Sequence, residues 1–313
     1  MAPKRQRQPH SAEFFGPQRD HWWNRDHLAL IAARFGLESV RSALDVGCGV
    51  GHWGRLVATV LPDEATITGI DREPAWVRAA SELATRSSLG DRFRYQEGIA
   101  EALEFADGGF DLVTCQTVLI HAVSPRAVIR EMLRVCRPGG VILVAEPNNR
   151  ASLLVDTSVN AGAPVEDLLE RLRFALTCER GKAALGEGHN SIGDLLPGYL
   201  AEEGVENVQT FISDKTEALV PPYGSEGQQA LRAYTIKQAE EETWGWSRED
   251  ARRFFTAGGG GEDEFDLAWG RRQEENRAAA RALERGTFHT AGGTILYAIG
   301  ERKPTGAGPP ARA

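Results

Sequence analysis

The residues best placed to do chemistry lie in one stretch, Ala43-Leu-Asp-Val-Gly-Cys-Gly-Val-Gly-His-Trp-Gly54. An apolar run ending in Asp45 reads as a buried parallel strand, and the glycines after it read as a tight turn into a helix that starts near Val50. Gly47, Gly49 and Gly51 strip side chains from that turn, so a ligand can approach bare backbone and meet peptide N–H groups at a helix N-terminus. The spacing is Gly-x-Gly-x-Gly. The dinucleotide fingerprint needs Gly-x-Gly-x-x-Gly, and its last glycine would fall where His52 stands. Asp45 inside the motif suits a ligand with a cationic amino group better than one with a pyrophosphate. Cys48, between the first two glycines, belongs to the same ligand-facing turn.

One helix and one strand later comes a second acid. Ala65-Thr-Ile-Thr-Gly-Ile-Asp71 reads as a strand whose terminal carboxylate lands beside the glycine turn, where it can accept both hydroxyls of a ribose. Arg72 follows, placed to lie over a base. Three further groups are candidates for moving a proton or anchoring a substrate: His121 and Glu146 at the ends of later strands, and His189 in a glycine-rich segment.

Further along, Gly98-Ile-Ala-Glu-Ala-Leu-Glu-Phe105 precedes Phe110-Asp111, and Arg137-Pro-Gly-Gly140 turns into the apolar run Val141-Ile-Leu-Val-Ala-Glu-Pro147. Together with the glycine turn and the acid at Asp71, these stretches cover residues 43–147 in an order that resembles the class I S-adenosylmethionine-dependent methyltransferases, in particular the ubiquinone/menaquinone-type branch acting on small molecules. The resemblance implies S-adenosyl-L-methionine as cofactor, with Asp45, Gly47, Cys48, Gly49, Gly51, Asp71, Arg72, Ile99, Ala100, Glu101 and Gln116 as its binding residues. It also shows departures. Ile99 stands where an aspartate often meets the adenine amino group, and Glu104 replaces a proline, so adenine recognition is expected from the backbone at Ile99 and Ala100, or from Glu101. Thr114, Cys115 and Gln116 at the end of the fourth strand offer no gathered carboxylates, so no catalytic metal is expected. The Asn/Asp-Pro-Pro-Tyr/Phe element that such enzymes use on exocyclic base amines is absent.

The elements that must hold these residues follow from the pattern. The expected fold is α/β: a doubly wound, seven-stranded, Rossmann-like methyltransferase sheet with its last strand antiparallel, plus helical cap insertions. A helix ending at Gly36 leads into the first strand, with Trp22 and Trp23 near its start. Val205–Asp214 and Gly293–Arg302 fit the last two strands. The expected divisions are a disordered tail over 1–12, a cofactor-binding core over 13–149, a helical cap insertion over 150–204, the rest of the sheet with a second helical insertion over 205–302, and a disordered tail over 303–313. In the first insertion Val165, Leu168, Leu169, Leu172 and Leu176 form one apolar face. Gly181, Gly186, Gly188 and Gly193 supply flexible joints for a lid.

Composition limits the partners. A formal net charge of −8 over 313 residues, with Lys and Arg scattered apart from Lys4-Arg5-Gln6-Arg7, argues against nucleic acid. No run approaches the roughly 20 apolar residues of a membrane span, and the start lacks a signal peptide's apolar core, so a cytoplasmic protein is expected. Cys48, Cys115, Cys136 and Cys178 show no metal-ligand spacing. The expected function is transfer of a methyl group to O, N or C of a small-molecule acceptor. Two rivals stand beside it: a dinucleotide-binding oxidoreductase, and a non-catalytic S-adenosylmethionine-binding protein. Neither the acceptor nor the oligomeric state follows from the sequence.

Overall fold

In chain order the elements are α1 (Arg25–Phe35), β1 (Ser42–Val46), α2 (His52–Ala58), β2 (Thr66–Asp71), α3 (Pro74–Thr85), β3 (Phe93–Glu97), β4 (Phe110–Gln116), α4 (Pro125–Val135), β5 (Cys136–Asn148), α5 (Asn149–Ser152), α6 (Val165–Ala184), α7 (Leu196–Glu202), β6 (Gln209–Ile212), α8 (Glu226–Glu240), α9 (Arg248–Ala257), α10 (Glu262–Glu284) and β7 (Ile295–Arg302). They come from a computed structural model that describes residues 16–87, 90–214, 216, 218–292 and 295–302. The expectations for the tails at 1–12 and 303–313 and for the basic cluster at 4–7 lie outside these residues. The chain divides into two compact units. The described residues of Trp23–Ala151, Gly186–Lys215 and Thr294–Ala313 form a sheet unit, and those of Met1–Trp22, Ser152–Leu185 and Thr216–Gly293 form a helical unit. The segment 150–204, expected as one insertion, is thus shared between the two.

The sheet unit carries seven strands in the order β3-β2-β1-β4-β5-β7-β6. β1 to β5 pair in parallel, and β7 runs antiparallel to both β5 and β6. This is the expected topology, with the last strand reversed. Between β1 and β4 the winding changes direction. In an open parallel sheet, ligands bind outside the carboxyl ends of the strands at such a switch point. Parallel strands buried on both faces read as continuous apolar runs, and Ala43, Leu44, Leu112, Val113, Ile142 and Val144 are each at most 1 % exposed. The helices start and stop on sequence signals. Gly36 ends α1 in the left-handed conformation at φ 68°, and Pro125 opens α4 behind Ser124, whose hydroxyl accepts the Ala127 N–H. The buried face of α4 is Val128, Ile129, Met132 and Val135. Trp23 is core: its ring lies 5.5 Å from that of Trp53 and stacks on His27. The β6 strand is shorter than its expected span of 205–214.

The helical unit has its own core, built on Phe174, Trp246, Phe254, Phe255, Phe265 and Trp269. Here α6 departs from the expected orientation. Val165 and Leu169 are 63 % and 59 % exposed, whereas Phe174, Ala175, Cys178, Gly181 and Lys182 are buried. The reason is backbone contact. A Cβ added at Gly181 would lie 1.6 Å from the Phe254 carbonyl oxygen, and one at Gly258 would lie 2.0 Å from that of Thr177. The glycines let α6 and α9 touch, and that contact overrides the apolar periodicity of the leucines. Gly181 is therefore a point of close approach rather than a joint. The two readings predict opposite signs for Gly181→Ala. In a free joint the change would add helix propensity of about 1 kcal/mol. Against the Phe254 carbonyl it is expected to cost about 3 kcal/mol through overpacking, read from urea unfolding of the two proteins.

Candidate active site

The turn after β1 is built from three glycines in the left-handed region, Gly47, Gly49 and Gly51, at φ 66°, 53° and 81°. Side chains are excluded there by strain, and at two of the three also by space. A Cβ at Gly47 would sit 2.6 Å from a methyl of Val118, and one at Gly51 would sit 2.6 Å from the Tyr95 hydroxyl. Two buried carboxylates hold the turn. Asp45, 1 % exposed, accepts the Gly54 N–H at 3.0 Å, which satisfies a donor in the first turn of α2. Asp71, at the end of β2, accepts the Gly49 N–H at 2.9 Å through one oxygen and the Glu73 N–H at 3.0 Å through the other. Burial pushes the Asp71 pKa up, opposed by those two N–H groups. Cys48 donates its N–H to Ile70 at 2.8 Å, and its thiol is held protonated by burial and by Asp45 and Asp71.

The remaining expected binding residues gather at the same sheet edge. The Gly98 N–H donates to the Asp71 carbonyl at 3.0 Å, which brings Ile99, Ala100 and Glu101 beside Asp71. Ile99 presents an apolar side chain that is 58 % exposed. Gln116, across the switch point at the end of β4, is 6 % exposed, and its amide nitrogen has no hydrogen-bond partner among the described residues. Arg72 differs from expectation: its side chain is 64 % exposed and lies 3.7 Å from Glu73.

The three proton-transfer candidates fare differently. Glu146 is fully buried. Its carboxylate accepts the N–H groups of Val118 at 2.7 Å, Leu119 at 2.9 Å and Ile120 at 3.4 Å, with the Cys115 thiol at 3.9 Å. It holds the turn after β4 and faces no open edge. His121 ends a short 3-10 helix in that turn. A Cβ at Gly188 would lie 2.8 Å from the Cα of His121, so the segment before His189 is packed on His121. His189 accepts the Ser191 N–H on Nδ1 at 3.3 Å, and its Nε2 is 3.5 Å from a guanidinium nitrogen of Arg150. The structure thus brings His121 and His189 into one neighbourhood and sets Glu146 beneath it. The segment is also tied to the end of β5. Asn149 donates to the Asn190 carbonyl, Asn148 donates to Asp194 at 2.7 Å, and Gly193 lies where a Cβ would meet the Glu146 carbonyl oxygen at 2.8 Å.

Three contributors escaped the sequence reading. Val118 packs on Gly47. Tyr95 lies under Gly51 and Gly69 and stacks on Phe93. Thr114 accepts the Trp53 indole N–H at 2.8 Å. Only Tyr95 left a signal, because Phe93-Arg-Tyr95 alternates like a strand with one apolar face.

A carboxylate offers about four lone-pair sites. Glu146 has three N–H donors and a thiol around it. Asp71 has two N–H donors, one on each oxygen, and keeps about two sites for hydroxyls such as those of a ribose. The left-handed glycine turn, Asp71, the exposed Ile99 and the unpartnered Gln116 amide together fit S-adenosylmethionine.

Comparison with known proteins agrees. Residues 37–187 match the family described as "Methyltransferase domain". The chain is 33 % identical over 154 residues to a ubiquinone biosynthesis O-methyltransferase of Psychrobacter arcticus, covering 47 % of this chain and 58 % of that protein. It is 32 % identical over 120 residues to a sterol 24-C-methyltransferase of Neurospora crassa, covering 38 % of this chain and 31 % of that one. The matched segment thus spans from about a third to somewhat over half the length of these two relatives. A crystal structure of a candidate sarcosine dimethylglycine methyltransferase from Galdieria sulphuraria shares the fold, with TM-score 0.50 and 17 % identity over 90 % of this chain and 85 % of that one. Among the described residues no group of three or more His, Cys, Asp or Glu is placed to hold a metal ion, and no helix is long and apolar enough to cross a membrane.

The burial of Glu146 has a measurable consequence. Desolvation raises its pKa from 4.5 to about 7, against the pull of its N–H donors. The folded state therefore binds more protons than the unfolded state between these values, and stability falls as pH rises through that window. The full shift corresponds to about 3 kcal/mol. Glu146→Gln keeps an oxygen for Val118 and Leu119 and removes the titration. Urea unfolding at pH 4.5 and at pH 8 is expected to show the wild type losing stability relative to this variant at the higher pH.

Proposed function

We propose that this chain is an S-adenosylmethionine-dependent methyltransferase that acts on O, N or C of a small-molecule acceptor. The observation that carries the reading is the turn after β1. Three left-handed glycines there lie against Asp71, whose carboxylate retains acceptor capacity, at the switch point of the sheet. The bound cofactor would supply a methyl group made electrophilic by its sulfonium.

The chain's own contribution is positioning. In this reading Asp71 holds the ribose hydroxyls, the glycine turn offers bare backbone for close approach, and Ile99 offers an apolar surface to the adenine. Gln116 directs its amide from the end of β4. In-line displacement draws most of its rate from holding the nucleophile about 3 Å from the carbon with water excluded. A base serves only an acceptor that must lose a proton. His121 is the group assigned to that task. His189 has the Ser191 N–H on Nδ1 and the Arg150 guanidinium beside Nε2, which suits an anchor better than a base. Glu146 positions the turn that carries His121 and touches no acceptor. The oxidoreductase reading loses ground, because His52, in the place of the third glycine, is a 9 % exposed residue in the first turn of α2.

Titration calorimetry tests the cofactor. Saturable binding of S-adenosylhomocysteine with no heat from NAD is the expected result, and the reverse would overturn the proposal. Asp71→Ala then tests the site. Loss of hydrogen bonds to a charged group is expected to weaken S-adenosylhomocysteine binding by about 1.5–3 kcal/mol, roughly 10-fold to 150-fold. Unchanged affinity would remove Asp71 from the ribose.

A further inference from the structure

The apolar stripe that the leucine spacing marks out on α6 is left uncovered. Val165, Leu169, Leu172 and Leu176 recur at intervals of four, three and four, the seam by which one helix packs against another. Val165, Leu169 and Leu176 are exposed and Leu172 is half-buried. The helices of this unit that meet α6 use other residues. Gly181 and Thr177 take the contact with α9, and Glu170 and Arg173 pair with Arg271 and Glu264 of α10. Burial of Phe174, Ala175, Cys178 and Gly181 on the other side fixes the roll of the helix, so the stripe cannot turn inward.

The charges beside the stripe decide what can cover it. Glu166 and Arg173 each follow a seam residue, Val165 and Leu172, so both lie along the same edge of the seam, and both are exposed. Arg173 holds Glu264 through one terminal nitrogen, and a guanidinium has five N–H donors to share. Let a second α6 lie antiparallel, centred between Leu169 and Leu172. Val165 then meets Leu176 of the second copy, and Leu169 meets Leu172. In this register Glu166 of each copy falls within two residues, about 3 Å along the axis, of Arg173 of the other. Both ion pairs form together. Along the other edge Leu168 extends the apolar contact. A parallel pair would instead set Arg173 beside the Leu168 edge of the second copy and form neither ion pair.

We propose that the exposed face of α6 is a self-association surface, on which a second copy of this chain lays its own α6 antiparallel about a two-fold axis between Leu169 and Leu172. The occupant is a second copy because the seam complements itself twice over, in its apolar layers and in the Glu166 and Arg173 charges that flank them. Three turns of helix make a small interface, so the dimer is one that forms and dissociates with concentration. The inference stands apart from the cofactor assignment, because every residue in it belongs to the helical unit.

The test is sedimentation velocity of the full chain over a wide range of concentration. The wild type is expected to pass from monomer to dimer as concentration rises. Leu169→Glu changes a side chain exposed in the single chain, so it is expected to fold like the wild type. It is expected to weaken dimerisation about tenfold or more, because two-fold symmetry places the charge in the seam twice. The ion pairs have their own readout. Glu166→Arg and Arg173→Glu each set like charges opposite one another at two places and are expected to weaken dimerisation about three- to tenfold. An equimolar mixture of these two variants is expected to regain wild-type association, since in the mixed dimer both contacts join opposite charges. The proposal is overturned by a wild type that stays monomeric, by a Leu169→Glu chain that dimerises like the wild type, or by a mixture that associates no better than either variant alone. A monomeric wild type whose affinity for S-adenosylhomocysteine falls on Leu169→Glu overturns it as well and gives the face to the cofactor. Should Arg173→Glu fail to fold for want of its pair with Glu264, the wild type and Leu169→Glu still decide the question.

Discussion

The sheet unit depends on one recurring interaction: a carboxylate on one strand accepts backbone N–H groups from a turn beside the neighbouring strand. Asp71, ending β2, holds Gly49 in the turn after β1. Glu146, near the end of β5, holds Val118, Leu119 and Ile120 in the turn after β4. At the opposite edge, Asp111 in β4 accepts the N–H groups of Arg41 and Ser42 at 2.7 and 2.9 Å and pairs with Arg137. These links join β1 to β2, β4 to β5 and β1 to β4, the pairs that flank the switch point. A parallel sheet leaves all its C-terminal turns on one edge, where they cannot pair with one another as hairpins do. Carboxylates supply the missing acceptors, and burying them is tolerable only because they are so bonded.

This device explains which parts of the chain were legible. Residues 43–147 announce themselves because their signals are local. Left-handed glycines, apolar parallel strands, a proline at the first position of a helix and Arg137-Pro-Gly-Gly140 each act within a few residues. The Asp111 and Arg137 elements of the resemblance turn out to bond to each other, so their joint presence has a structural cause. The role of Glu146 was not legible. An acid at a strand end looks the same in sequence whether it faces a substrate or the amides of a neighbouring turn, and only the tertiary fold places residues 118–120 over it.

The helical unit was harder to read for a related reason. The leucine spacing of α6 describes a plausible buried face, yet a single backbone approach at Gly181 and Gly258 rotates another face inward. A glycine carries two opposite meanings, freedom and proximity, and the sequence does not separate them. Gly186 shows the first: a Cβ there would meet nothing within 4 Å. Gly188 and Gly193 show the second, pressed against the turn of His121 and the end of β5. The 186–195 segment therefore belongs with the sheet it packs on, and its histidine with the turn that Glu146 supports.

The difference between Asp71 and Glu146 now has a physical basis. Both are buried acids at the carboxyl edge, and burial pushes both upward in pKa. Glu146 is fully buried among three N–H groups and a thiol of the chain, so its charge is a matter of folding alone, and its titration is expected to move stability. Asp71 is bonded once on each oxygen, which fixes its orientation and leaves capacity on both. The same interaction thus yields an anchor where it is complete and a ligand-binding group where it is half complete. What separates the two is the number of N–H groups the adjoining turn turns inward: the turn after β4 offers three, whereas the glycine turn spends one on Asp71 and presents bare backbone to the edge.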